Sequence, residues 1–231
     1  HIGAVPYLLR ERSDIRIIGS QLTLAFVAPK LKERRMSAPM TQVKAGQIEK
    51  VGPFTLEFIT VNHSIPDSLA VAIKTPAGVI LHTGDFKMDK MPLDGKVTDL
   101  ETFARLGKEG VDLFLVDSTN ADVPGLTVAE KEIYPALKEA IDKTPRRVVV
   151  TSFASHVHRI QQVLNAAQEA NRKVAYVGRS MIRNMKLAED LGYLKVPNGL
   201  VVDYKDIDSF GDKIVLICTG SQGEPLAALS R

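Results

Sequence analysis

The sequence predicts an α/β protein built in two parts, and three observations carry that reading. The first 120 residues mix helices with β-rich segments separated by turn signals. From about Gly125 onward, apolar strands alternate with helices, the pattern of a parallel sheet covered on both faces. The change of pattern falls near residues 118–126, so we place one domain over 1–122 and a second over 123–231.

In chain order, Ile2–Arg12 reads as a helix and Ile15–Ile18 as a short strand. Ser20 can cap a second helix, Gln21–Arg35, with Leu22, Ala25 and Phe26 on one side. Pro29 inside that span predicts a kink or a shortening. Strands follow over Thr41–Lys44, Thr55–Val61, Ser68–Lys74, Val79–His82 and Leu113–Val116. In the second part, Thr127 and Glu130 have capping-box spacing and open a helix to about Asp142, with Pro135 as a kink. Then come strand Arg147–Thr151, a helix from Ser155 to about Asn171, strand Lys173–Val177 and a helix near Ser180–Leu191 ended by Gly192. A last strand, Lys213–Cys218, runs into the turn Thr219–Gly223.

Composition narrows the class without naming a function. The 231 residues are 45% hydrophobic and 25% charged, ordinary for a globular protein. No apolar run approaches the roughly 18–20 residues of a membrane span, and no secretory preamble is present, so a cytoplasmic protein without membrane contact is expected. The lone Cys218, in the apolar run IVLIC, rules out an internal disulfide and suits a reducing compartment. A net charge of +3 is too balanced to argue nucleic-acid binding by itself. With Trp absent and aromatics few, a broad base-stacking platform is not expected. The missing initiator Met predicts that the native start lies upstream.

Two of the histidine settings stand out. His63 directly follows a strand, in Val61-Asn62-His63-Ser64. Asp85 sits in a tight turn after an apolar strand, in His82-Thr83-Gly84-Asp85-Phe86-Lys87. Imidazole and carboxylate at two strand ends can face one cation; zinc accepts both, and a carboxylate can bridge two metals. Taken alone, a lone His and a lone Asp on loops are bystanders more often than ligands. Three further turns follow apolar strands. Ser155-His156-Val157-His158 joins a strand to a helix start, where unpaired backbone N–H groups favour anions. Gly178-Arg179-Ser180 offers a tight turn, a forked donor and a capping hydroxyl, and Gly220-Ser221-Gln222-Gly223 repeats the arrangement. Three such turns at the carboxyl ends of neighbouring parallel strands form a crevice of the kind that binds ligands.

These words carry a resemblance. HTGDFK resembles the metal-binding turn of the metallo-β-lactamase superfamily, and FASHVHRIQQ, GRSM and CTGSQGEP resemble the ribonuclease J group of its β-CASP family. The resemblance implies a partial αββα metallo-hydrolase sandwich plus a Rossmann-like β-CASP domain with a parallel sheet. It implies metal ligands at His1, His63 and Asp85, with Asp85 bridging two zinc ions, or Mn2+ or Mg2+ in their place. His1 would be the closing histidine of an H-x-H-x-D-H motif, so the chain would begin inside that motif and stop before two more site histidines. Asp117, in Asp117-Ser118-Thr119-Asn120, would be the acidic residue that opens the β-CASP region and supports the metal site; without the resemblance it reads as a turn former. Strand alternation turns His82 to the other side, which favours a hydrogen-bonding role near the metal. Ser155, His156, Val157, His158, Arg179, Ser180, Gly220, Ser221 and Gly223 would bind single-stranded RNA and seat its 5′-monophosphate.

The expected activity is metal-dependent 5′→3′ exonuclease and endonuclease cleavage in rRNA processing and mRNA decay, by a homo-oligomer when full-length. This stretch alone is expected to be inactive. The alternatives are another β-CASP nuclease, an inactive RNA-binding scaffold, and a thioester hydrolase sharing the metal turn.

Overall fold

The computed structural model describes residues 2–221 and 223. The chain forms two compact units, His1–His63 with Asp67–Thr127, and Ser64–Pro66 with Val128–Arg231. The main division falls at Thr127, close to the change of pattern read from the sequence.

The first unit opens with a 3-10 turn, Ile2–Ala4, and α1 (Val5–Glu11). Pro6 lies in the first turn of α1, where a missing N–H costs nothing. β1 (Ile17–Gly19), α2 (Gln21–Glu33) and β2 (Met40–Gln42) follow, with β1 and β2 paired in parallel. Leu9, Val27 and Leu31 form their core against Ile15, Ile17 and Met36. Two local expectations are corrected here. α2 runs on through Pro29 to Glu33. Ser20 is the N-cap residue, but its hydroxyl donates to the Thr23 hydroxyl (3.0 Å) and makes no cap bond.

The rest of the unit is one five-stranded sheet in the order β3 (Ile48–Val51), β4 (Phe54–Thr60), β5 (Leu69–Thr75), β6 (Gly78–His82), β7 (Leu113–Leu115). The first four strands are antiparallel neighbours, and β7 joins β6 in parallel. A parallel neighbour needs a crossover, which α3 (Leu100–Glu109) supplies. Asp99 caps α3 by accepting from the Thr102 N–H (3.0 Å). Leu106 of α3 is buried with Ile59, Val61, Ala70, Ala72 and Leu81. Each fully buried Leu or Ile contributes about 1.5–3 kcal/mol. Neither β3 nor α3 is in the sequence reading. β3 shows no fully buried residue and so leaves little apolar signal, whereas α3 carries Leu100, Phe103 and Leu106 at helical spacing, a stripe the sequence reading does not use.

The second unit alternates as expected: a 3-10 turn (Glu130–Ile133), α4 (Tyr134–Lys143), β8 (Val148–Thr151), α5 (Val157–Glu169), β9 (Lys173–Val177), α6 (Arg179–Asp190), β10 (Val201–Val202), a 3-10 segment (Tyr204–Phe210) and β11 (Ile214–Cys218). Its sheet is all parallel, in the order β10-β9-β11-β8. Val157, Ile160, Leu164, Met181, Met185, Ile214 and Ile217 are buried in this unit.

Three boundaries differ from the sequence reading. Ala129, not Thr127, caps the 3-10 turn, and the Glu130 side chain is buried rather than closing a capping box. Pro135 stands in the first turn of α4, where it fits without a kink. The cap of α6 is Gly178, with φ of 100°, a conformation that favours glycine; Ser180 is already inside the helix.

Candidate metal centre and phosphate-facing turns

β6 delivers a turn whose shape follows from its residues. Thr83 is buried; its N–H donates to the Leu115 carbonyl (3.0 Å) and its hydroxyl to the Gly84 carbonyl (2.7 Å). Gly84 has φ of 62°, and a Cβ there would lie 3.2 Å from the Leu69 carbonyl oxygen, so the position requires glycine. The Gly84 N–H donates to His82 Nδ1 (2.9 Å). The expected hydrogen-bonding part for His82 therefore has a partner, the backbone of the turn itself.

The same turn is stitched to two neighbours. The Asp117 N–H donates to the Thr83 hydroxyl (3.0 Å), and Asp117 Oδ2 accepts from the Phe86 N–H (3.2 Å). Asp117 Oδ1 accepts from the Thr119 N–H (3.0 Å) and hydroxyl (2.7 Å). The Thr119 hydroxyl and N–H hold the Asp117 carboxyl below its ordinary range, outweighing burial, with the Phe86 N–H and His63 adding to the effect. On the other side, the Asn62 carbonyl accepts from the Lys87 N–H (2.8 Å), and the Asn62 N–H donates to the Thr98 hydroxyl (3.0 Å). The Lys87 ammonium lies 3.3 Å from the fully buried Asp89 carboxylate. His63, one residue beyond Asn62, is thereby brought to Asp85, with Nε2 and Oδ2 3.9 Å apart. His82, Gly84, Asp85, Asp117, Ser118 and Thr119 line one open depression of about 630 Å³.

The structure thus brings His63 to Asp85 and sets His82, Asp85 and Asp117 around one depression. Thr83, Asn62, Thr98 and Asp89 are braces that the sequence reading missed. Their only local signal is polar residues flanking the two strand ends, which does not distinguish a brace from a loop residue.

Zinc takes imidazole nitrogen and carboxylate oxygen at about 2.0–2.2 Å. Two donors of those types 3.9 Å apart can both reach one cation, so His63 and Asp85 fit two positions of a zinc site. Among the described residues no group of three His, Cys, Asp or Glu side chains gathers to hold a metal. The expected ligand His1 lies outside the described residues.

In the second unit, strand register brings the three other turns to one edge. Cys218 at the end of β11 stands opposite Thr151 of β8 and Val177 of β9, so all three strands end at one level. The turn after β8 leads into α5 with His156 at the N-cap position and no side-chain cap bond. Asn184 of α6 donates to the Ala154 carbonyl (3.1 Å), which ties α6 to that turn. Arg179 is exposed and Ser180 half-buried in the first turn of α6. Gly220 has φ of 124° and accepts from the Gly223 N–H (3.1 Å), while Ser221 is exposed. Gln222 lies outside the described residues. Val157 and His158 are buried, so the backbone of the α5 start, more than their side chains, is what a ligand at this edge meets.

Residues 145–231 match the family model for ribonuclease J, β-CASP domain. Curated relatives align over the whole chain. The chain is 52% identical to "Ribonuclease J" of Corynebacterium glutamicum, covering 32% of it. It is 49% identical to that of Mycobacterium tuberculosis and 44% to that of Thermus thermophilus, covering 42% of each. It therefore spans 32–42% of the length of these relatives. A crystal structure of a protein of unknown function from Enterococcus faecalis shares the fold, with a TM-score of 0.64 and 15% identity over 90% of this chain and 54% of that one. Residues 145–231 thus match the ribonuclease J β-CASP domain, and the whole chain is similar to curated proteins named ribonuclease J, of which it spans a part.

Proposed function

We propose that this chain is part of a metal-dependent ribonuclease that hydrolyses RNA phosphodiesters, 5′→3′ from a 5′-monophosphate end and internally. The observation that carries this reading is the meeting of His63 and Asp85 across a turn braced by Thr83 and Asp117. Zinc ions, when bound, would lower the pKa of a coordinated water and offset charge on the phosphodiester. His63 Nε2 and the Asp85 carboxylate are the donors this stretch contributes. Asp117 acts through its bond to the Phe86 N–H, which holds the residue after Asp85 in place. His82 accepts the Gly84 N–H at Nδ1, so its neutral ring carries its proton on Nε2 and can donate to a phosphate oxygen in the depression.

The second unit grips the RNA. First-turn N–H groups of α5, Arg179 and Ser180 of α6, and the Gly220–Ser221–Gly223 turn surround the edge where the strands end. A terminal monophosphate carries up to two charges and suits such a nest of donors, whereas a triphosphate is bulkier. Single-stranded RNA in the cytoplasm, in rRNA processing and mRNA decay, is the substrate setting. No helix among the described residues is long and apolar enough to cross a membrane.

The test uses the full-length enzyme. Cleavage of 5′-monophosphorylated RNA should vanish on chelation and return with zinc or manganese. Metal-free cleavage at the same rate would overturn the reading. Binding without cleavage under every metal would replace it with a scaffold role, and hydrolysis of thioesters but not RNA with the thioesterase alternative.

A further inference from the structure

One buried cluster in the second unit has no part in the reading above. Glu130 is 4% exposed, on the 3-10 turn before α4. Its carboxylate accepts from Arg159 Nε (2.7 Å) and Nη2 (3.2 Å), a forked pair. Gln162 Nε2 donates both to Glu130 Oε1 (2.9 Å) and to its main-chain carbonyl (3.0 Å). His156 Nε2 lies 3.7 Å from the same Oε1. His156, Arg159 and Gln162 recur every three residues, so they form one stripe along the first turns of α5.

We infer that Glu130 is a positioning residue for the phosphate-facing start of α5. This rests on the reading that this helix start meets the RNA 5′-phosphate. The stripe is turned inward on Glu130, so His156 and Arg159 act as anchors rather than phosphate ligands. The anion is then met by main-chain N–H groups, whose direction depends on how the helix enters. Glu130 sets that entry, because it binds Arg159 and Gln162 in the first two turns of α5 from a separate element, with the N-cap residue His156 3.7 Å away. A buried carboxylate is costly unless it is paired, and here Arg159 and Gln162 of α5 pair it. Removing the charge therefore loosens α5 at its start.

The test is Glu130→Gln in the full-length enzyme, which keeps an acceptor oxygen and the side-chain volume. Rates are compared on matched RNAs with a 5′-monophosphate or a 5′-hydroxyl end. The ratio of kcat/KM values should fall about tenfold, the size of a lost charged hydrogen bond, with the loss in KM for the monophosphorylated RNA. Gln162→Met, which removes both bonds from Gln162 Nε2 to Glu130 and keeps the volume, should lower the ratio at least about threefold, and decides the matter if Glu130→Gln does not fold. A ratio unchanged in a folded variant, with the wild type still preferring the monophosphate, overturns the assignment of Glu130 alone. An equal fall on both RNAs, in step with a lower melting temperature, shows a merely structural role and also overturns it. A wild type indifferent to the 5′ end overturns the phosphate reading and this inference with it.

Discussion

On the proposed reading, the two units carry function on different atoms. In the first, side-chain atoms face the site: His63 Nε2 and Asp85 Oδ2 lie 3.9 Å apart, the Gly84 N–H donates to the His82 ring, and Thr83 and Asp117 brace the turn. In the second, side chains such as Glu130, Arg159 and Asn184 hold, and the backbone at the strand ends and helix starts is what a ligand meets. The division follows from the ligand each unit suits. A metal needs a few soft or charged donors at fixed distances. A phosphate needs several N–H groups pointing one way, which a parallel sheet with following helices presents at one edge. It follows that single substitutions should act sharply in the first unit and more gradually in the second.

The sharpest expected effect is at Asp85. Asp85→Asn removes a carboxylate from the metal site, so full-length cleavage should fall more than about 100-fold, beyond the range typical of outer partners of a metal. RNA binding should fall far less, because the phosphate-facing turns belong to the other unit. Near-native cleavage by this variant would remove Asp85 from the site. Next in size is Asp117→Ala, which releases the Phe86 N–H and the Thr119 hydroxyl together. Activity and metal affinity should drop about 10–100-fold, as for a partner that orients a ligand. If metal content, read by atomic absorption, and activity both stay within twofold, Asp117 is only a turn former.

A gentler effect is expected in the second unit. Arg179 is exposed on the first turn of α6, and Arg179→Ala removes one charged donor from several. The preference for 5′-monophosphate over 5′-hydroxyl RNA should fall about tenfold, the lower end of a charged hydrogen bond, with less effect on internal cleavage. An unchanged preference would place the phosphate elsewhere.

The same contrast explains what the sequence could show. HTGDFK was legible because its parts are adjacent: an apolar strand, a glycine turn and a carboxylate within six residues. The parallel alternation was legible for a similar reason, since each strand and helix of the second unit states its own period. The braces were not. Asp117 reads as a turn residue until its N–H is seen on Thr83, 34 residues earlier. Glu130 was misread because Thr127 and Glu130 imitate a capping box, while its true partners, Arg159 and Gln162, lie 29 and 32 residues away. α3 does have a local signal, Leu100, Phe103 and Leu106 at helical spacing after the capping Asp99, and the sequence reading passes over it. Local grammar identifies elements and turns, and the long-range hydrogen bonds that aim them have no local signature.

The smallest expected effect concerns acid stability and isolates Glu130 from the RNA. In the folded unit its carboxyl titrates well below the ordinary range. Burial opposes ionisation, but the His156 ring 3.7 Å away and the forked, charged pair from Arg159 outweigh it. In the unfolded chain a Glu carboxyl titrates near about 4.3. A folded value lower than the unfolded one means that Glu130 stabilises the fold fully above that pH, and the contribution is lost as the pH falls through it toward the folded value. Glu130→Gln cannot titrate, so it lacks this component, while every other carboxylate is shared between the two proteins. The wild type should therefore be the more stable near neutrality, and its advantage in melting temperature should shrink between about pH 5 and pH 3. Melting curves of both proteins across that range, followed by circular dichroism, make the comparison. Parallel curves, with a constant gap at every pH, would show that Glu130 contributes shape and hydrogen bonds but no charge, and that the pairing with Arg159 does not stabilise the start of α5 electrostatically.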